Sequence, residues 1–266
     1  MKIAIIGTGN LGLSIAKGMI LNNSFTTLYL TRRNTQTLNK WKDSKKVYIT
    51  SNNHQAAKHS NIIICAVQPT QFREILLELK PILNQKHILI STVAGFTINE
   101  IETILSTDLS IVRAMPNTAI SVSKSMTCLC SNDSGKRSIE VANAIFSRLG
   151  TTAIIDETHM RAATVLCASG VAFWLRLIRA TTQGGVQLGF DAEEALKMSM
   201  YTAMGAASLL INGEKHPESE IDKVTTPMGC TITGLNEMEH RGVSSSIIKG
   251  LTASFDKINE ISKESS

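Results

Sequence analysis

Two short stretches of this sequence carry residue types whose spacing suits ligand chemistry. The first is Gly7-Thr8-Gly9-Asn10-Leu11-Gly12, directly after the apolar run Lys2–Ile6. In a strand–turn–helix setting the first glycine allows the tight turn and the second lets backbone approach a pyrophosphate. The third permits close packing of helix on strand. The helix then offers unpaired N–H groups and a positive dipole end to phosphate oxygens. G-x-G-x-x-G alone is a common pattern; its place at the head of a strand–helix–strand unit makes a dinucleotide the expected ligand.

The next apolar run ends Tyr29-Leu30-Thr31-Arg32-Arg33. An acidic residue at that point would read the ribose 2′-hydroxyl of NAD, whereas guanidiniums suit a 2′-phosphate. At ~1.5–3 kcal/mol per charge-assisted hydrogen bond, the pair predicts a roughly ten- to hundredfold preference for NADPH over NADH. Thr31, Arg32 and Arg33 are therefore assigned, with the loop, to cofactor binding. The competing assignment is a surface turn that two arginines merely cover.

The second stretch begins at His216-Pro217 and runs Asp222-Lys223-Val224-Thr225-Thr226-Pro227-Met228-Gly229-Cys230-Thr231-Ile232-Thr233-Gly234-Leu235. Thr226 has the chemistry of an N-cap and Pro227 that of a first helical residue. The N–H groups of Met228, Gly229 and Cys230 would then lie free at a positive helix end, a setting for a small carboxylate. Other chemistries lack their residues. His54 and His59 do not share a helix face, and there is no H-E-x-x-H, paired C-x-x-C or G-x-S-x-G. Neither a metal centre nor a serine hydrolase is expected. Cys128-Leu129-Cys130 alternates within an expected strand and is assigned to packing.

These residues need elements to hold them. Strands are expected at Lys2–Ile6, Thr27–Thr31, Val47–Thr50, Asn61–Val67, His87–Thr92 and Ser110–Ala114, with helices between, such as Asn10–Leu21 and Pro69–Lys80. Ile62-Ile63-Ile64-Cys65-Ala66-Val67 is apolar without alternation, as in strands covered on both faces by helices. Strand signals fade after Ile154-Ile155. Beyond Thr158 helices are expected to about Gln183, from Asp191 to Ile211, and twice more after Thr226, with Gly184-Gly185 and Gly189 breaking the first two. The expected fold is an α/β Rossmann-type doubly wound mainly parallel sheet, followed by an all-α C-terminal domain. The boundary is placed at Asp156: residues 1–156 bind the dinucleotide, and 157–266 form a helical substrate and dimerisation domain.

Composition narrows the classes. The chain has 266 residues, 43% hydrophobic and 18% charged, ordinary values for a globular protein. A net charge of +5 mildly favours an anionic ligand, but aromatic residues make up only 5%, so no nucleic-acid platform is expected. Met1–Gly7 is too short an apolar run for a signal peptide. The stretch Val165 to Leu175 is too short to span a bilayer. Five cysteines without a secretory signal read as reduced thiols, and a cytoplasmic location without membrane partner is expected.

Taken together, the motifs resemble the pyrroline-5-carboxylate reductase family over nearly the whole length. Arg113-Ala114-Met115-Pro116-Asn117-Thr118 is similar to the family's R-x-M-P-N-T, and Ser91-Thr92-Val93-Ala94-Gly95 to its S-x-x-A-G. Gly205-Ala206-Ala207 and Thr226–Leu235 are similar to later landmarks. Departures occur where A-V-K-P appears as Ala66-Val67-Gln68-Pro69 and S-P-G-G-T-T as Thr226-Pro227-Met228-Gly229-Cys230-Thr231. In addition, L-S-G-S-G-P-A-Y appears as Leu166-Cys167-Ala168-Ser169-Gly170-Val171-Ala172-Phe173.

The resemblance implies hydride transfer from NADPH to the C=N carbon of Δ1-pyrroline-5-carboxylate, giving L-proline. It implies that Thr231 hydrogen-bonds the ring nitrogen, that backbone near Gly229 and Cys230 holds the carboxylate, and that Val224 and Thr226 lie beside the substrate. It places Asn53, Ala66, Val67, Gln68, Pro69, Ala94 and Gly95 along the cofactor, and it implies a homodimer or higher homo-oligomer through the C-terminal helices. Two alternatives stay open: reduction of another small cyclic imine or acid, and a non-catalytic NADP(H)-binding regulator. A β-hydroxyacid-type dehydrogenase would need a lysine in Thr164–Arg179, which has none.

Overall fold

The computed structural model describes residues 1–265 apart from Asp43 and Glu214, with side chains as far as Glu260. Among the described residues eight strands form one sheet: Lys2–Ile6 (β1), Thr27–Thr31 (β2), Val47–Thr50 (β3), Ile62–Cys65 (β4), Ile88–Ser91 (β5), Ser110–Met115 (β6), Ser125–Ser131 (β7) and Gly150–Ile154 (β8). Their order is β3-β2-β1-β4-β5-β6-β7-β8. Only β6 and β7 run antiparallel; the other neighbouring pairs are parallel. The winding reverses between β1 and β4, which opens a crevice at the carboxyl ends of those strands.

The unbroken apolar strands follow from two covered faces. Ala4 and Ile6 of β1 point into a cluster with α2 (Asn53–Lys58), α3 (Pro69–Leu79) and α4 (Ile98–Leu105). Ile3 and Ile5 point the other way, into a cluster that holds Ile15, Ala16 and Met19 of α1 (Asn10–Leu21) and, farther along the sheet, Ile145 and Phe146 of α5 (Ser138–Phe146). β4 divides in the same manner, Ile63 and Cys65 against Ile62 and Ile64. Every one of these side chains is buried, so each strand position stabilises by roughly 1.5–3 kcal/mol when it carries a large aliphatic group. The strands expected at Asn61–Val67 and His87–Thr92 are shorter, Ile62–Cys65 and Ile88–Ser91, and Ala66-Val67 already belongs to the loop that lines the crevice.

After β8 the chain is helical. A 3-10 turn at Glu157–His159 leads to α6 (Met160–Ala163), a π-helical turn at Thr164–Ser169, and α7 (Gly170–Gln187). Then come α8 (Ala192–Ile211), α9 (Pro217–Val224), α10 (Cys230–His240) and α11 (Val243–Ser265). The last strand ends at Ile154, whereas the compact units divide at Val171: one holds Met1–Val171 with the chain from Ser254 on, the other Ala172–Ala253.

Within the second unit, three expectations are corrected. Gly184-Gly185 does not break a helix; α7 continues through Gln187 and stops at Gly189, whose φ is +103°. A Cβ at Gly185 would lie 2.9 Å from Ala195 Cβ, so the glycine lets α7 and α8 approach closely. Residues Pro217–Val224 form a helix that the sequence reading left out, with His216 as N-cap and Pro217 in its first turn. The cap-plus-proline pattern is therefore used there and not at Thr226-Pro227, because Met228 adopts a left-handed φ of +57°. α10 begins at Cys230 with Gly229 as its N-cap.

This unit buries little by itself. Ala195 and Ser199 are the buried residues of α8, and α9 and α10 have none among the described residues. Trp174, Leu188 and Ile211 are 67, 82 and 80% exposed. The run Glu157–Gln187 is, by length and composition, long and apolar enough to cross a membrane, which corrects the view that the apolar stretch there is too short.

Candidate functional site

The crevice at the β1–β4 reversal is lined from β1 and its loop by Ile6, Gly7, Thr8 and Gly9, and from the end of β2 by Thr31, Arg32, Arg33 and Asn34. Ser51 and Asn53 follow β3, Ala66, Val67 and Gln68 follow β4, and α3 adds Gln71, Glu74 and Ile75. Gly7 has a φ of +87°, and a Cβ there would sit 2.4 Å from Val67 Cγ1, so only glycine suits the turn. A Cβ on Gly9 would meet nothing within 4 Å. Whatever its missing side chain makes room for lies outside the chain.

The loop is held rigidly. The N–H and hydroxyl of Thr8 both donate to Thr31 O (2.9 and 2.8 Å), and Gly7 N–H donates to Thr31 Oγ1 at 3.3 Å. Thr31 is buried, so it holds the loop from below through its hydroxyl and carbonyl. Arg32 Nη1 donates to Thr8 O at 3.1 Å, while Arg33 is exposed at the rim. α1 starts with no side-chain cap and no acidic residue in its first turn, leaving its N–H groups and positive end open to an anion.

The fit to a phosphorylated dinucleotide rests on that open cradle and on two guanidiniums at the end of β2. The cleft's acidic member is Glu74, on α3. Asn53 opens α2 and donates to Glu78 Oε2 at 3.0 Å. Asn10 and Leu11 begin α1, Gly12 is buried with its would-be Cβ 2.4 Å from Gly7 O, and Pro69 opens α3. Ala94 and Gly95 follow β5, where Gly95 has a φ of +89° ahead of the capping box that Thr97 and Glu100 build on α4.

Sequence reasoning missed Ile6, Asn34, Ser51, Gln71, Glu74 and Ile75. For α3 the signal was present, since Gln68, Gln71, Glu74 and Ile75 recur at three- and four-residue spacing on one helical face.

The R-x-M-P-N-T segment is scaffolding. Arg113, 2% exposed, pairs with Glu157 at 2.9 Å, and the same Glu157 oxygen accepts the Ile98 N–H at 2.8 Å at the start of α4. Among the described residues Arg113 Nε is buried without a partner. Asn117 accepts from Ala119 N–H and donates to the carbonyl of Cys167 at 3.0 Å, tying the π-helical turn to the loop that follows β6.

In the second unit Gly229 N–H donates to Thr226 O at 3.0 Å, closing a turn across Pro227-Met228. A Cβ at Gly229 would lie 2.4 Å from Thr226 Oγ1. The N–H groups left free at the head of α10 are therefore those of Cys230, Thr231 and Ile232, in place of Met228, Gly229 and Cys230. The first turn of α10 carries no acidic residue. Among the described residues Thr231 Oγ1 has no hydrogen-bond partner, and Cys230 is an exposed free thiol. Val224 closes α9 and is 62% exposed. Among the described residues no group of three or more His, Cys, Asp or Glu gathers as a metal site.

Comparison with known proteins gives two family models. Residues 157–261 match one described as pyrroline-5-carboxylate reductase dimerisation, and residues 2–95 match one described as NADP oxidoreductase coenzyme F420-dependent. Pyrroline-5-carboxylate reductase 1 of Dictyostelium discoideum is 45% identical over 96% of the chain, which spans 49% of that relative, about half its length. Pyrroline-5-carboxylate reductase 2 of the same organism is 42% identical over 96% of the chain and 91% of the relative. The pyrroline-5-carboxylate reductase structure from Coxiella burnetii superposes with a TM-score of 0.87 at 30% identity, over 97% of each chain. The Plasmodium falciparum pyrroline carboxylate reductase structure with NADP bound reaches 0.90 at 24% identity over 98% of each.

Proposed function

The chain belongs to the pyrroline-5-carboxylate reductase family, and from that premise we propose that it reduces Δ1-pyrroline-5-carboxylate to L-proline with NADPH. The observation that carries the cofactor half is the cradle at Gly7–Gly12: Gly9 opens onto space no side chain fills, and two arginines stand where an NAD-binding carboxylate would be.

NADPH, when bound, supplies the hydride for the C=N carbon. The N–H groups at the head of α1 would hold its phosphates, and Arg32 and Arg33 the 2′-phosphate. Asn53, Ala66, Val67, Gln68, Pro69, Ala94 and Gly95 would line the rest of it. At the substrate, the free Thr231 hydroxyl hydrogen-bonds the ring nitrogen. The N–H groups at the start of α10, including that of Cys230, receive the carboxylate, beside Val224, Thr226 and Gly229. A protonated iminium is already a strong hydride acceptor, so the chain's task is to bind and orient, and no acid of shifted pKa is required.

Thr231→Ala is expected to lower kcat by at least about tenfold, the equivalent of one hydrogen bond to a charged group, with the NADPH dissociation constant unchanged. Equal kcat would remove Thr231 from the mechanism.

The apolar helices of the second unit pack against another copy, giving a homodimer or higher homo-oligomer in the cytoplasm, with neither membrane nor nucleic acid as partner. Burial in that assembly accounts for the apolar run Glu157–Gln187.

The experiment follows NADPH absorbance with Δ1-pyrroline-5-carboxylate, then with NADH, then with a six-membered cyclic imine. Fast oxidation of NADPH with the five-membered ring supports the assignment. Faster turnover of the larger ring would transfer it to another imine. NADPH binding without turnover of any imine would replace it with a non-catalytic regulator.

A further inference from the structure

Cys128 and Cys167 are distant in sequence and adjacent in space. Cys128 lies on β7, Cys167 in the π-helical turn Thr164–Ser169, and their sulfurs are 3.9 Å apart. The alternation of Cys128 with Cys130 suggested only packing, yet Cys128 finds its sulfur partner on another element. We propose that Cys128 and Cys167 form a reversible intramolecular disulfide when the protein meets a hydroperoxide.

The two thiols are suited to different parts of the reaction. Cys167 is partly exposed, whereas Cys128 is 4% exposed. Burial and the neighbouring thiol push Cys128 up to about 12, so it stays S–H and is a poor first nucleophile. Cys167 therefore meets the oxidant: its sulfur takes one peroxide oxygen, becoming a sulfenic acid, and water or an alcohol leaves. The Cys128 sulfur then attacks the Cys167 sulfur, the S–O bond breaks, and the thiol proton leaves with hydroxide as water. Two sulfurs are oxidised by two electrons in all, and the peroxide is reduced. Held at 3.9 Å, the pair reacts at high effective concentration, which offsets the poor nucleophilicity of a buried thiol.

Closing to a bond of about 2 Å requires the sulfurs to move together by nearly 2 Å. The π-helical turn can absorb such a shift, since a π turn holds one residue more than an α turn and can move it along the helix. Cys167 also stands where the family pattern quoted above has serine.

The test uses the reduced full-length protein, treated with a few equivalents of hydrogen peroxide, quenched, denatured and alkylated with iodoacetamide. Peptide mass mapping without reductant should show Cys128 and Cys167 peptides joined, with two of the five thiols lost and recovered by dithiothreitol. C167S and C128A should each abolish the joined species, and C230S should leave it unchanged, since Cys230 is exposed and belongs to neither element. The proposal is overturned if Cys128 and Cys167 both emerge alkylated at a dose that oxidises Cys230. It is equally overturned if Cys167 reaches the sulfinic acid with no joined peptide.

Discussion

Arg32 and Arg33 are neighbours with different duties. Arg32 donates to the carbonyl of Thr8, so its loss disturbs the loop that any dinucleotide must occupy. Arg33 is exposed and, among the described residues, makes no such bond. Arg33→Ala should therefore weaken NADPH binding about tenfold and leave NADH nearly unchanged, whereas Arg32→Ala should weaken both. Titrating each variant with both cofactors separates the two duties. Met228 offers a second check. A side chain in the left-handed region costs ~1–2 kcal/mol, against ~0.5–1 kcal/mol for glycine's extra freedom when unfolded, so Met228→Gly should stabilise by about 0.5 kcal/mol. Met228 is 99% exposed, so the change removes no packing. A lowered urea midpoint would show that its side chain makes contacts in solution. The glycine loop was legible because its work is done by consecutive residues. Thr31 and Arg32 as supports of that loop were not, because their bonds exist only once β1 and β2 are paired.

The elements carry a different share. Glu157 joins Arg113 on β6 to the first N–H of α4. Removing it would leave a buried guanidinium that already has one unpartnered nitrogen. Such a loss costs ~3–5 kcal/mol when both partners are buried; Glu157 is 31% exposed, so Glu157→Ala should cost about 2 kcal/mol. Glu157→Gln, which keeps an acceptor for Ile98 N–H, should cost less; urea unfolding of both variants measures the difference. The first six strands were readable from their apolar runs, since covering both faces of a parallel sheet removes alternation; β7 and β8, rich in serine, threonine and glycine, were given no bounds. The start of α10 was not. Thr226-Pro227 has the local chemistry of a helix start, and only the turn through Met228 and the Gly229–Thr226 bond moves the start to Cys230. The missed α9 shows the same limit: His216 is an unusual cap residue, and it serves here through Nδ1, which accepts the Glu218 N–H.

At the scale of the molecule, the sheet-bearing unit has a full core on both faces and the second unit has almost none. The sequence conveys the helices but not what covers them, because intermolecular burial leaves the same apolar pattern as a core. Sedimentation at micromolar concentration should give at least a dimer, and Leu209→Glu, placed where an apolar side chain is 57% exposed, should shift the population toward monomer. Recovery of wild type as a stable monomer would contradict the proposed assembly. The near-absence of buried side chains in α8, α9 and α10 also has a kinetic meaning. A half that cannot bury its own apolar surface gains most of its stability by encounter, so its completion is second order in chain concentration. Refolding from urea should then show a fast phase independent of dilution, from the sheet, and a slower one whose rate falls in proportion as the protein is diluted.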